Sequence, residues 1–276
     1  MNPPVSNSLR EYARGMAGGL MFSLPLLYTM EVWWTGFVAE PMRLVVYMGA
    51  IFVLLLGYNH YAGLHHDACW SEVVIDSVEE MGLGLLVAAL VLFLLGQLET
   101  DMSAYEIIGK ITVEAMTVAI GISVGTSQLG GGDNGAKGGA EASAKQDVTF
   151  GGQIAIASCG AMLFAANVAP TEEIIMIATE TRIEKLAGLA GLSLLLTALI
   201  LYYIEFTSST QYVHTTGIAS VVVGTVVTYA VALIISAAVL WFFGRFDQAL
   251  GTCIAQTIVL GLAASLGASA GRLLLQ

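Results

Sequence analysis

Two short acidic segments inside long apolar stretches are the strongest candidates for ion chemistry in this sequence. Their members are Thr29 and Glu31 after Pro25, and Thr171, Glu172 and Glu173 after Pro170. Proline interrupts backbone hydrogen bonding in a helix, and freed carbonyl oxygens beside carboxylates are suitable ligands for a cation. Two nearby carboxylates do not ionise together easily. The pair Glu31 and Glu173 is therefore predicted to exchange a proton for a cation, with the two threonines as neutral oxygen donors.

A structural alternative exists for each acidic segment. Trp33 and Trp34 follow Glu31 and are typical of an aromatic belt at a membrane surface, where Glu31 would only mark a helix end. Glu173 is followed by four apolar residues, which predicts that it lies deeper and is better shielded from water than Glu31.

A second polar stripe lies further along the chain at helical spacing. It contains Glu106, Lys110 and Glu114, and the second half of the chain has Gln256 in the matching place. One hypothesis makes these residues the lining or gate of a hydrated ion path. The other makes Glu106, Lys110 and Glu114 a neutralised network that holds helices together.

Acidic residues also precede a third apolar stretch: they are Glu72, Asp76, Glu79 and Glu80. Carboxylates are stabilised at a helix N-terminus by the helix dipole, so a solvated helix end is the expected role. A vestibule that collects cations is the alternative.

Histidine offers a weaker possibility. His60, His65, His66 and Asp67 could hold a transition metal, although histidines at a membrane interface are the expected interpretation. Haem is disfavoured because no histidines lie at depth on facing spans, and retinal because the last two spans carry no lysine. Motifs for zinc proteases, serine hydrolases and nucleotide phosphates do not occur in the sequence. We therefore predict no cofactor and no enzyme activity.

The composition determines the class of protein that must position these groups. Only 11% of the 276 residues are charged and 57% are hydrophobic, with a mean hydropathy of +0.79. Soluble domains carry about 25% charged residues, so we expect an integral membrane protein with the lipid bilayer as its main partner. The net charge of −11 argues against a nucleic-acid partner. An inorganic cation and a proton are the predicted substrates, and a second copy of the chain is a further candidate partner.

Slightly more Lys and Arg residues lie on the side of the termini, which predicts that this side of the membrane is cytoplasmic.

The apolar stretches predict an all-α polytopic membrane protein with eight transmembrane helices. The predicted spans are residues 15–36, 42–64, 75–98, 104–127, 150–178, 186–206, 217–243 and 248–271.

Residues 14–127 also align without a gap on residues 156–269, a shift of 142, which pairs Gly18 with Gly160 and Glu31 with Glu173. The sequence thus predicts an N-terminal tail (1–13), a first four-helix repeat (14–127), a flexible linker (128–148) and a second repeat (149–273). Because each repeat has an even number of spans, the two should be parallel and related by a pseudo-two-fold axis along the membrane normal.

The segments FSLPLLYTMEVWW (residues 22–34) and NVAPTEEIIMIA (residues 167–178), in the context of the whole chain, resemble a group of bacterial integral membrane proteins without an assigned function. The resemblance implies a multi-pass protein of the bacterial inner membrane and carries over no functional residue. The carboxylates are similar, at the level of architecture only, to those of duplicated cation/proton exchangers. We therefore expect a membrane transporter or channel for a cation, with or without coupling of the transport to protons. A non-transporting scaffold or sensor is the alternative, and a metal-binding or redox membrane protein is a weaker one.

Overall fold

The computed structural model of the chain describes residues 5–62, 69–99, 101–130, 149–207 and 218–274, and within these ranges the regular structure is entirely α-helical. The helices are α1 (Val5–Leu27), α2 (Met30–Val38), α3 (Pro41–Ala62), α4 (Trp70–Leu94), α5 (Ala104–Gly130), α6 (Phe150–Val168), α7 (Glu172–Glu180), α8 (Ile183–Thr207), α9 (Ile218–Phe242) and α10 (Leu250–Leu274). Helix α1 begins inside the predicted tail, and α5 ends inside the predicted linker, whose residues 131–148 lie outside the described ranges.

Seven of the described helices are long and apolar enough to cross a membrane: α3, α4, α5, α6, α8, α9 and α10. About 20 apolar residues span the hydrocarbon core of a bilayer, and each of these helices meets that length. The prediction of an all-α, multi-pass integral membrane protein is confirmed.

The predicted first span, residues 15–36, is not one helix. It consists of α1 and the short α2, with a break at Tyr28 and Thr29, where Thr29 has extended backbone angles (φ −97°, ψ 113°). The predicted fifth span is divided in the same way, because α6 ends at Val168 and α7 begins only after Thr171 (φ −70°, ψ 150°). Pro25 precedes the first break and Pro170 lies within the second, and proline cannot donate a backbone hydrogen bond.

Helix α5 lies at the centre of the first half. Its apolar window is 83% buried inside the protein, whereas that of α8 is 22% buried. The side chains of α5 are therefore mostly surrounded by protein, while α8 offers most of its surface to the exterior.

Two pairs of glycines allow helices to pack with their backbones in contact. Gly18 of α1 lies directly against Gly125 of α5, and Gly160 of α6 lies directly against Gly267 of α10. Small residues at such crossings are the usual means by which membrane helices approach closely. These contacts fix the two broken helices against the last helix of each half.

Candidate functional site

Glu114 of α5 is the charged side chain with the least exposure among the described residues. Its exposed fraction is 0%, and neither carboxyl oxygen has a hydrogen-bond partner in the described part of the chain. Lys110 follows with 8%. Full burial of an ionisable group inside a membrane protein is costly and typical of functional positions, so Glu114 defines the candidate site.

The packing of α1 and α2 along α5 gives the depth of Glu114. Gly19 of α1 contacts Val118 of α5, whereas Gly36 of α2 contacts Gly109 and Lys110 of α5. The chain between Gly19 and Gly36 contains the helix break, and the part of α5 between the two contacts contains Glu114. Glu114 therefore lies at the level of the break between α1 and α2.

The predicted network of Glu106, Lys110 and Glu114 does not form. The Lys110 ammonium donates to the carbonyl oxygen of Gln97 (3.1 Å), just after the end of α4. Glu106 instead accepts a hydrogen bond from the backbone amide of Ser103 (2.9 Å). Lys110 thus bonds to a carbonyl in the turn after α4, and Glu106 caps the amide just before α5; among the described residues no ion pair joins Lys110 to either glutamate. The network hypothesis was wrong, and Lys110 does not compensate the charge of Glu114.

Gln256 of α10 occupies the position that matches Glu114 under the shift of 142. It is completely buried, its Oε1 has no described partner, and its Nε2 donates to Oε1 of Gln248 (3.4 Å). Both halves thus bury one side-chain carbonyl or carboxyl group at this position, and only the first half has a group that can carry charge.

The backbone oxygens at the two breaks are already engaged. The Thr29 hydroxyl donates to the Pro25 carbonyl (2.6 Å), and the Thr171 hydroxyl donates to the Val168 carbonyl (2.9 Å). Trp33 Nε1 donates to the Leu27 carbonyl (3.2 Å). The carbonyl groups that the sequence suggested for a cation therefore serve first as acceptors for capping side chains.

The predicted carboxylate pair lies at helix starts. Glu31 is in the first turn of α2, and Glu172 and Glu173 are in the first turn of α7, where the helix dipole stabilises negative charge. Glu31 is half-buried, whereas Glu172 and Glu173 are exposed on the protein surface. The protein itself thus covers Glu31 more than Glu173, because α7 turns Ile174 and Ala178 towards the protein interior. The expectation that Glu173 is better shielded from water than Glu31 stays a prediction.

Asn167 of α6 forms a contact that the sequence analysis did not identify. Its Nδ2 donates to the carbonyl of Phe22 (3.0 Å), and its Oδ1 accepts from the amide of Leu26 (2.9 Å). These two backbone groups of α1 would pair with each other in a regular α-helix. The Asn167 amide therefore stands between them, next to Pro25. Under the repeat alignment Asn167 matches Pro25, and this was the only sequence signal.

We expect Asn167→Leu to lower the stability of the protein markedly. The substitution leaves the Phe22 carbonyl and the Leu26 amide without their partner, and each unsatisfied buried group costs about 1–3 kcal/mol. Thermal unfolding in detergent measures the loss, and hydrogen exchange should show faster exchange of the Leu26 amide. Thr179→Val on the exposed side of α7 is the control, and equal melting temperatures for the two variants would contradict the prediction.

A polar cluster joins α3, α4 and α5 near the N-terminal end of α4. Asn59 Nδ2 donates to Glu80 Oε2 (2.7 Å) and to Ser77 Oγ (3.0 Å), while Ser123 Oγ donates to Asn59 Oδ1 (2.8 Å). Glu80 is half-buried there, so the expectation of a fully solvated helix end was wrong for this residue. Single polar residues within apolar spans, such as Asn59 and Ser123, were the available signal.

Of the other acidic residues of α4 whose contacts the structure gives, Glu72 is a helix-end group, whereas Glu79 lies further along the helix and contacts α1. Glu72 accepts a hydrogen bond from the Cys69 amide (3.0 Å) and closes a capping box, and Glu79 accepts one from the Tyr12 hydroxyl (3.3 Å). Both glutamates are exposed.

The metal hypothesis is tested only at its first residue. His60 is exposed and stacks on Trp70, with ring centroids 4.5 Å apart. His65, His66 and Asp67 lie outside the described residues. In the ranges that the structure describes, no group of three metal-ligating side chains is found.

Comparison with known proteins gives one match. The family model described as "Putative integral membrane protein (DUF2391)" matches residues 11–275, so the chain belongs to that family. No curated protein and no solved structure matches the chain. The family assignment confirms the resemblance to integral membrane proteins and agrees with the seven candidate spans.

Proposed function

We propose that this family member is a membrane transporter or channel for an inorganic cation, coupled to protons, with Glu114 as its ion-binding group. One observation carries the proposal: Glu114 is fully buried, and neither of its oxygens has a described hydrogen-bond partner. Its position at the level of a helix break is typical of substrate sites in secondary transporters.

The physical argument is the cost of leaving such a group uncompensated. A buried charge without a partner destabilises a protein by about 3–5 kcal/mol. A proton or a bound cation removes that cost, and the two ligands compete for the same oxygens. Competition of this kind is the simplest basis for exchanging one ion against the other.

The proposal includes eight crossings in two parallel repeats. Helices α1 and α2 together pack along α5 from Thr126 to Gly109. At 1.5 Å per residue this stretch of α5 is roughly 25 Å long, which is close to the thickness of the hydrocarbon core. The nine-residue helices α2 and α7 match under the shift of 142, as do the contacts Gly18–Gly125 and Gly160–Gly267. These correspondences support the duplication.

One correspondence requires the alignment to contain a gap. Gly96 and Gly244 have positive φ angles (71° and 70°) in equivalent turns after α4 and α9, and they are related by a shift of 148. Six extra residues before α9 in the second repeat, and six fewer between Gly244 and Gly251, would account for both the shift of 148 here and the return to 142 at Gly109 and Gly251.

Glu31, Glu172 and Glu173 have a secondary role in this proposal. The dipoles of α2 and α7 already stabilise their charge, and the nearby carbonyl oxygens accept hydrogen bonds from threonine hydroxyls. These glutamates would raise the local cation concentration at the breaks, while Glu114 binds the transported ion. Lys110 and Gln256 would line the protein interior, in the first and the second half of the chain respectively.

The scaffold or sensor hypothesis is the second candidate. The bridge from Asn167 to the α1 backbone and the capped carbonyls at both breaks favour it, because these contacts stabilise one conformation. In that case Glu114 would influence helix packing only.

Ion flux into proteoliposomes distinguishes the two functions. Purified protein is reconstituted and challenged with gradients of Na⁺, K⁺ and Ca²⁺ at two pH values, with a pH-sensitive dye inside the vesicles. We expect one cation to drive proton movement that empty liposomes lack, with a rate that depends on pH. Absence of flux for every cation at both pH values would favour the scaffold.

A further inference from the structure

Helices α3 and α5 are connected by side-chain hydrogen bonds at both ends of their interface. Tyr47 and Thr117 are joined by their hydroxyl groups (3.4 Å) at one end. At the other end, Tyr58 contacts Ser127 (2.8 Å), and the Asn59–Ser123 bond lies beside this contact. Because residue numbers increase together in both helices, α3 and α5 run in the same direction.

The middle of this interface is apolar and buried. Ile51 and Leu55 lie on the buried face of α3 between Tyr47 and Tyr58, and Ile120 lies on α5 between Thr117 and Ser123. Their exposed fractions are 1%, 0% and 0%, and all three belong to one continuous hydrophobic core. We call these three residues the apolar layer.

The two polar ends differ in their access to water. Glu80, bonded to Asn59, is half-buried and lies next to the exposed Glu79. On the other side of the apolar layer, Glu114 precedes Thr117 by one helical turn and has no exposed surface. An ion that enters near Glu80 would therefore meet the apolar layer before it reaches Glu114.

We propose that the interface of α3 and α5 is the ion route to Glu114 and that the apolar layer is its closed gate. This inference rests on the proposed transport function and specifies the route within it. Apolar constrictions in channels block ions because water does not fill them. The apolar layer can therefore keep the route closed without a charged plug. Helix movement that separates Leu55 from α5 would open the route.

The test is a serine substitution in the layer. Leu55→Ser adds a hydroxyl and removes volume, so water can enter and ions can leak without coupling. Proteoliposomes loaded with K⁺ and a pH-sensitive dye should show passive K⁺ and proton leak faster than wild type by on the order of ten-fold. Ile120→Ser should act in the same direction from the opposite helix.

Val53→Ser is the matched control, because Val53 lies on the same helix two residues away but is 66% exposed on the outer surface. It should leave the leak at the wild-type rate. Leu55→Thr is the milder variant if Leu55→Ser does not fold, and only protein that is monodisperse in detergent is reconstituted.

The outcomes separate this inference from the proposed function. If the folded layer variants leak no more than Val53→Ser, the gate hypothesis is wrong, whether or not Glu114 is needed for transport. If wild-type flux persists without Glu114, the proposed function fails instead. Leak in both layer variants, with none in the control, supports the route.

Discussion

Glu114→Gln should abolish proton-coupled cation flux while leaving the protein folded. Glutamine has nearly the same shape but cannot bind a proton or neutralise a cation. Neither oxygen of Glu114 has a hydrogen-bond partner among the described residues, so the substitution breaks no described contact, and it removes a buried charge that, when uncompensated, destabilises a protein. We therefore expect flux at the level of empty liposomes and a melting temperature equal to or above that of wild type.

Two variants control this experiment. Glu106→Gln changes a carboxylate on the same helix that only caps the Ser103 amide, and it should retain flux. Gln256→Glu places a carboxylate at the matching position of α10 and should affect flux less than Glu114→Gln. Normal flux in Glu114→Gln, or loss of flux that merely follows loss of folded protein, would contradict the assignment of Glu114 as the ion-binding group.

Gly109→Ala should be the most destabilising single-methyl change in the described structure. A Cβ atom at Gly109 would overlap the carbonyl oxygen of Gly36, a backbone atom that can move only if α2 moves away from α5. Overpacking of well-packed cores costs about 1–3 kcal/mol, and a rigid backbone neighbour places this case at or above the upper end. Thermal unfolding in detergent measures the effect.

The second half of the chain supplies the control. Gly251 matches Gly109 under the shift of 142, but a Cβ atom at Gly251 meets nothing within 4 Å. Replacement of a helical glycine by alanine stabilises a helix by up to about 1 kcal/mol when space is free, so Gly251→Ala should be neutral or slightly stabilising. Equal destabilisation by both variants would mean that the close packing of α2 on α5 is not specific to the first half.

The sequence predicted the elements of this fold better than their contacts. Apolar length predicted the spans, since the bilayer imposes the same length requirement on every crossing. The prolines predicted both breaks. The residue at which α1 ends was not predictable, because Asn167 and Thr29 supply hydrogen bonds to the backbone around Pro25.

The candidate site was predicted only in part. Glu114 was identified from its helical spacing, but its assumed partner Lys110 reaches the end of α4 instead. The flexible four-carbon stem of lysine makes its target a matter of tertiary structure, which spacing along one helix does not determine. In the same way, the burial of Glu80 depends on Asn59 from another helix.

The Asn167 bridge has a consequence for how the protein is made. Backbone groups within a bilayer must find partners inside the protein, and two groups of α1 obtain theirs from α6. While a ribosome is still producing residues before Asn167, the end of α1 lacks this partner. Helix α1 therefore reaches its final state only after α6 has been synthesised, and a fragment that ends before α6 would leave α1 incomplete.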